Sequence, residues 1–311
     1  MFSLSRKSLP PQSGGRFVKG TALKYLFSIL ILLLGFGPVF AQTEPGEGLA
    51  TADLAEIDRR LNNPLTSLWS LTFQNNTSVF EGDAIDGTEY SNNLFFQPFM
   101  PFEVGAKKQA MFTLRPVFPL VTQPVFDAAE PRESYEHVTG LGDIQLLLLA
   151  GPNDGKGLVW GAGATFKFPT ASDDNLGRGK YQAGPAAMLF HMGKPWTLGV
   201  LAQHWSSFAG DDFRDSVSQT DIQYVIRRSI PGAMSIGMGP TISIDWKEDS
   251  DNRLTFPIGL GITKTTRWGK IPVKLRAEVH YSIISPDDFG STWNFRLQIT
   301  PVIASPVKSK P

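Results

Sequence analysis

Cysteine is absent from the chain. Its absence excludes disulfides, thiolate metal sites, a lipid anchor on an N-terminal cysteine and a cysteine nucleophile. An excess of one charge is also lacking, since 29 basic residues face 29 acidic ones, and this gives no ground for nucleic acid as a partner. The balance is uneven along the chain. Residues 1–41 hold Arg6, Lys7, Arg16, Lys19 and Lys24 and no acid, so the remainder carries 24 bases against 29 acids. Long apolar runs are missing after residue 41, and without one no later segment crosses a membrane as a helix.

The one long apolar run is Leu26–Ala41. Basic residues precede it, Gly35, Gly37 and Pro38 break its end, and Val39-Phe40-Ala41 offers small residues for a signal peptidase. It is shorter than the roughly 20 residues a spanning helix needs. Residues 1–41 are therefore predicted to be a signal peptide cleaved after Ala41. A membrane protein without spanning helices must be a closed barrel, because only helices and barrels satisfy every backbone group in lipid.

The segment Trp293–Thr300 alternates strictly, with Trp293, Phe295, Leu297 and Ile299 apolar and Asn294, Arg296, Gln298 and Thr300 polar. Period two marks a strand with one dry and one wet face. Leu275–Ile283 and Ser235–Trp246 repeat the pattern. Strands are predicted at 65–79, 91–104, 109–122, 141–152, 157–169, 180–192, 195–208, 218–229, 233–247, 253–266, 270–284 and 291–303. Short connections such as 105–108, 153–156 and 231–232 alternate with long ones near 80–90, 123–140, 170–179, 209–217, 248–252 and 285–290, as in bacterial outer-membrane barrels with short periplasmic turns. The predicted fold is all-β: a transmembrane antiparallel up-and-down β-barrel of about twelve strands. Residues 42–64 form a periplasmic N-terminal segment, 65–304 the barrel and 305–311 a C-terminal tail. A soluble sandwich of the same strands would alternate too, but with its polar face outward.

Pro98, Pro101, Pro116, Pro119, Pro240 and Pro257 fall inside predicted strands, where each removes a ladder donor. Ala183–Phe190 and Leu198–Gln203 are apolar on both faces, which leaves their register open. Leu49, Leu54, Ile57 and Leu61 stand near helical spacing; the helix they imply either plugs the periplasmic mouth or caps the first strand.

If the apolar faces meet lipid, Arg115, Asp143, Lys167, Asp221, Arg227, Asp245, Arg276, Glu278 and Arg296 line the lumen. They either filter solutes as charged rungs or fill a narrow interior as salt bridges. Acids gather in the long loops, including Asp83, Asp86, Asp173, Asp174, Asp211, Asp212, Glu248, Asp249, Asp287 and Asp288. Such oxygens suit divalent ions bridging to lipopolysaccharide, but no spaced calcium loop occurs and solvated acids explain them. His204-Trp205-Ser206 places a histidine and a serine on one strand face, as in an outer-membrane lipid hydrolase. A third group must orient such a pair, and His280-Tyr281-Ser282 repeats the triplet.

Leu61-Asn62-Asn63-Pro64-Leu65 through Phe73–Asn76, Asn93–Pro101, Gly140–Ile144, Phe168–Ala171, Leu176–Pro185, Ser207–Gly210, Asp245-Trp246 and Phe256–Lys264 together resemble a family of bacterial outer-membrane proteins. Its members are labelled transporters or phenol meta-pathway degradation proteins, and some are named neuromedin U. The resemblance spans nearly all of residues 42–311 and implies a passive outer-membrane barrel, with aromatic uptake by association. Barrels of this kind commonly finish on an aromatic, whereas Ser305–Pro311 follow the last strand here. The expected function is a passive channel for small solutes, the alternative a non-conducting structural barrel. Lipids, lipopolysaccharide and a small solute are the expected partners, and neither enzyme activity, cofactor nor metal is implied.

Overall fold

The computed structural model describes residues 53–105, 107–126, 132, 134–153 and 157–305; the predicted signal peptide lies outside them. One short helix, α1 (Leu54–Leu61), precedes the strands. These are β1 (Trp69–Glu81), β2 (Glu89–Val104), β3 (Ala110–Phe126), β4 (Ser134–Leu141), β5 (Ile144–Pro152), β6 (Gly157–Phe168) and β7 (Lys180–Met192). There follow β8 (Trp196–Gly210), β9 (Ser218–Ile230), β10 (Met234–Met238), β11 (Thr241–Asp245), β12 (Leu254–Trp268), β13 (Ile271–Ile284) and β14 (Gly290–Ile303).

Each strand pairs antiparallel with its neighbour, and β14 returns to β1 from Trp69↔Ile303 to Glu81↔Gly290. The sheet is closed. Two pairs of segments are halves of single strands. β4 and β5 both lie against β3, interrupted at Gly142-Asp143, and β10 and β11 both lie against β9, interrupted at Gly239-Pro240. The barrel therefore has twelve strands. The strand 141–152 starts earlier than expected because Ser134–Leu141 extends past the break along β3.

The polarity is inverted relative to a soluble protein. Leu260 is 64% exposed and Leu297 56%, whereas Arg227 is 1% exposed and Glu278 3%. Every apolar position of the Trp293–Leu297 alternation points outward, and Arg296 between them is buried. This excludes the sandwich, whose outer face would be polar. Exposed Trp160, Trp196 and Trp268 ring the short-turn end, and Tyr90, Tyr181, Trp246 and Trp293 ring the long-loop end, the two girdles expected where a barrel meets interfacial lipid.

The open registers resolve the same way. Ala186, Met188, Phe190 and Met192 of β7 face inward with Leu201 of β8, joining Met111, Leu147, Leu149 and Val159 in an apolar cluster inside the barrel. Leu189, Leu198 and Val200 face outward. One wall of the interior is thus apolar.

Candidate functional site in the barrel lumen

The opposite wall, built by β9, β12, β13 and β14, is charged. Period two in β13 turns Lys274, Glu278 and His280 inward to full burial, with Arg276 on the same face. Glu278 is the hub. It pairs with Arg227 from β9, with Arg296 Nη1 at 3.2 Å and with Arg276 Nε at 3.9 Å, and His280 Nε2 lies 3.2 Å from it. Three guanidinium groups around one carboxylate leave positive charge in excess. Glycine at position 261 leaves room for the convergence. Arg227 and Glu278 both lie within van der Waals reach of the space where a Gly239 side chain would stand, and a Gly261 side chain would collide with Glu278.

Arg296 ties this cluster to the backbone. It donates from Nε to Asn76 Oδ1 at 3.0 Å and from Nη1 to the Gly239 carbonyl at 2.7 Å. Buried charges persist only when paired or bonded in this way.

Nearer the long loops the sign reverses. Asp221 accepts from Gln219 and Ser243, both at 2.8 Å. Asp245 lies 3.8 Å from Arg178, and Asp143 accepts the Arg178 N–H at 2.8 Å and the Ala171 N–H at 3.3 Å, which fixes the 169–179 loop over the break between β4 and β5. Burial holds the Arg178 guanidinium below its usual pKa, with Asp245 opposing the shift, and burial followed by Asp245 raises Glu248. Lys167 places its ammonium 3.9 Å from the centre of the Trp205 ring, a desolvated cation–π contact. Arg115 faces inward beside Leu147 in register, and its Nε has no partner among the described residues.

Eight of the nine residues picked from the sequence lie in strands and Asp143 lies in the break between β4 and β5, and the structure gathers them into groups. Arg227, Arg276, Glu278 and Arg296 form one cluster, Asp143, Asp221 and Asp245 hold the long-loop end, and Arg115 and Lys167 stand on the apolar side. The lumen residues picked from the sequence did not include Asp58, Lys274 or His280. Lys274 shares the parity of Arg276 and Glu278, and that signal could have found it.

Asp58 comes from α1, whose N-terminus is capped by Asp53 accepting the Ala55 N–H at 3.2 Å. The helix packs inside the short-turn rim, where Ile57, Leu68 and Val302 form a small buried cluster. Asp58 accepts from Thr265 at 2.8 Å and pairs with Lys274 at 3.3 Å, and Lys274 donates to Asn62 Oδ1 at 2.6 Å.

The two His-x-Ser triplets differ in place. On the outer face His204 Nε2 bonds Ser206 Oγ at 3.0 Å and Nδ1 bonds Thr220 Oγ1 at 2.9 Å. His280 is buried in the lumen against Asn294 and Glu278. Among the described residues no three histidine, aspartate or glutamate side chains are grouped to hold a metal ion.

Neither a family model nor a curated protein matches the chain. Among solved structures it is similar to an outer membrane channel from Pseudomonas putida F1, at 17% identity and a TM-score of 0.55, over 76% of this chain and 94% of that one. The β domain of the Bordetella autotransporter BrkA aligns over 75% of this chain and 99% of its own at 10% identity and a TM-score of 0.41. A Pseudomonas aeruginosa FadL homologue aligns over 85% of this chain and 96% of its own at 8% identity and 0.33. The first likeness carries the barrel fold.

Proposed function

We propose that this protein is a passive channel of the bacterial outer membrane for small solutes, aromatic compounds among them, exported through cleavage of residues 1–41. One observation supports it above the rest: the lumen joins a charged wall around Glu278 to an apolar wall of Met188, Phe190 and Leu201. Such a lining suits molecules with a flat apolar body and a polar group, since few placed polar groups on an apolar ground are the usual make-up of a ligand path. The fold shared with a P. putida outer membrane channel supports the same reading. By barrel convention the short turns are periplasmic, which puts α1 at the periplasmic mouth and the acidic loops toward lipopolysaccharide.

The contacts of α1 with Lys274 and Thr265 support a second reading, a barrel closed at one end. Planar-bilayer recording separates the two. Reproducible single-channel steps from the refolded barrel are expected; a folded but silent protein would leave the structural role standing instead.

A further inference from the structure

Arg115 on β3 and Lys167 on β6 lie outside the Glu278 cluster, and among the described residues no carboxylate stands within ion-pair distance of either. Asp221 is held instead by Gln219 and Ser243. Strand pairing sets the two cations on one wall. Gln145 of β5, Lys167 and Gln182 of β7 share one rung, while Arg115 pairs with Leu147, which pairs in turn with Thr165 of β6. Arg115 and Lys167 are thus one inward step and two strands apart, about 10 Å across the sheet at the usual strand spacing. Both side chains are half-buried, and being long they cover that distance from either side.

Around them lie polar groups whose hydrogen-bonding capacity is unused. Gln182 is 1% exposed, and neither its Nε2 nor its Oε1 has a partner among the described residues. The same holds for Nε1 of Trp205, also 1% exposed, for Arg115 Nε, and for Oγ1 of Thr113 on the same face of β3. Buried polar groups are bonded in the great majority of cases, so four such side chains on one wall mark a place that a partner from outside the chain completes. Between β6 and β8, β7 brings only Gly184 and Ala186 to the inner face. Thr165 therefore donates across it to Gln203 Oε1 at 3.2 Å, and the Lys167 ammonium lies across it on the Trp205 ring. One step towards the short turns the wall is apolar, with Leu147, Leu149, Ala186 and Met188 packed together.

We infer that this wall is a binding site for the carboxylate of a small apolar acid, which accepts hydrogen bonds from Arg115, Lys167 and Gln182 and rests its body on the apolar cluster. Until the acid arrives, Lys167 is parked on the Trp205 ring. That contact is weaker than a charge-assisted hydrogen bond, and a flexible four-carbon stem lets the ammonium leave it. Arg227, Arg276 and Arg296 compete less for the anion, because they already share Glu278. The inference deepens the channel reading by naming the class of solute, and rests on it for the route into the lumen.

Equilibrium dialysis tests it. The protein is refolded in non-ionic micelles and dialysed against radiolabelled benzoate or its neutral isostere benzamide, with empty micelles as the blank. Benzoate is expected to bind about ten-fold more tightly than benzamide, the weight of one hydrogen bond to a charged group. Lys167→Gln and Arg115→Gln should each weaken benzoate about ten-fold and leave benzamide unchanged. Both variants should also resist urea at least as well as the parent, because each removes a charge that has no partner in the chain. Benzoate bound no better than benzamide overturns the site, as does a benzoate affinity unchanged in both variants. Loss of stability together with loss of both ligands would make the two residues structural and overturn it too. A barrel that prefers benzoate but is silent in a planar bilayer keeps the site and ends the channel reading; one that conducts without the preference does the reverse.

Discussion

Arg296 on β14 donates from Nη1 to the Gly239 carbonyl at 2.7 Å, so the last strand holds the backbone of a strand it does not pair with. The same side chain bonds Asn76 and pairs with Glu278. Arg296→Met leaves Gly239 without its charged donor and Glu278 with one partner fewer. Breaking a buried pair on one side costs about 3 kcal/mol. Urea unfolding in lipid vesicles should register that loss, and Arg296→Lys should recover little of it, because an ammonium cannot span three acceptors as a guanidinium fork does. Full stability with lysine would show that charge alone suffices.

Asp58 joins α1 to the barrel wall at the short-turn end. Among the described residues it is the acid paired with Lys274, with Asn62 and Thr265 completing the contact. Asp58→Asn leaves Lys274 buried and uncompensated, at a cost beyond about 1.4 kcal/mol, which is a factor of about ten in an equilibrium. Bilayer recordings should show the open state gaining about ten-fold, with faster tryptic cleavage after Arg59 and Arg60. Unchanged gating with unchanged proteolysis would mean that α1 is held by Ile57, Leu68 and Val302.

The barrel was legible in the sequence wherever one face is wet and the other dry. Trp293–Thr300 and Leu275–Ile283 declare their register because lipid and lumen demand opposite residues at alternate positions. The same logic failed on β7 and β8, where Met188, Phe190 and Leu201 make the interior as apolar as the exterior and period two loses its contrast. Asp58 was hidden for another reason. Its partner Lys274 is more than 200 residues away along the chain, and no local pattern reports a contact of that span. The prolines were visible as anomalies, but that Pro240 and Pro257 lie across one gap in the ladder between β10–β11 and β12 is a fact of pairing alone.

Ser206, His204 and Thr220 form a hydrogen-bonded chain on the lipid-facing side. The third place is taken by a hydroxyl that also accepts from Trp246 Nε1 at 2.8 Å. A neutral hydroxyl offers no negative charge to stabilise an imidazolium, the task the carboxylate performs in a working triad. Purified protein should show no phospholipase activity above that of His204→Ala. Activity present in the parent and lost in the variant would make this face a catalytic centre.

Ion selectivity should follow the cluster around Glu278. Arg227, Arg276 and Arg296 outnumber their one acid, and a ring of charged side chains lining a pore sets its preference. Under a potassium chloride gradient the reversal potential is expected on the chloride side. Asp143, Asp221 and Asp245 nearer the long loops work against this, but two of the three lie close to the Arg178 side chain or backbone, so less of their field is free. Arg276 is the arginine farthest from the shared carboxylate, at 3.9 Å, and its removal disturbs the pairs of the other two least. Arg276→Gln should move the reversal potential toward zero while the barrel stays folded. The shift should be larger at 0.1 M salt than at 1 M, because the screening length falls from about 10 Å to about 3 Å. A cation preference that Arg276→Gln leaves untouched would mean that the acids of the long-loop end set the selectivity.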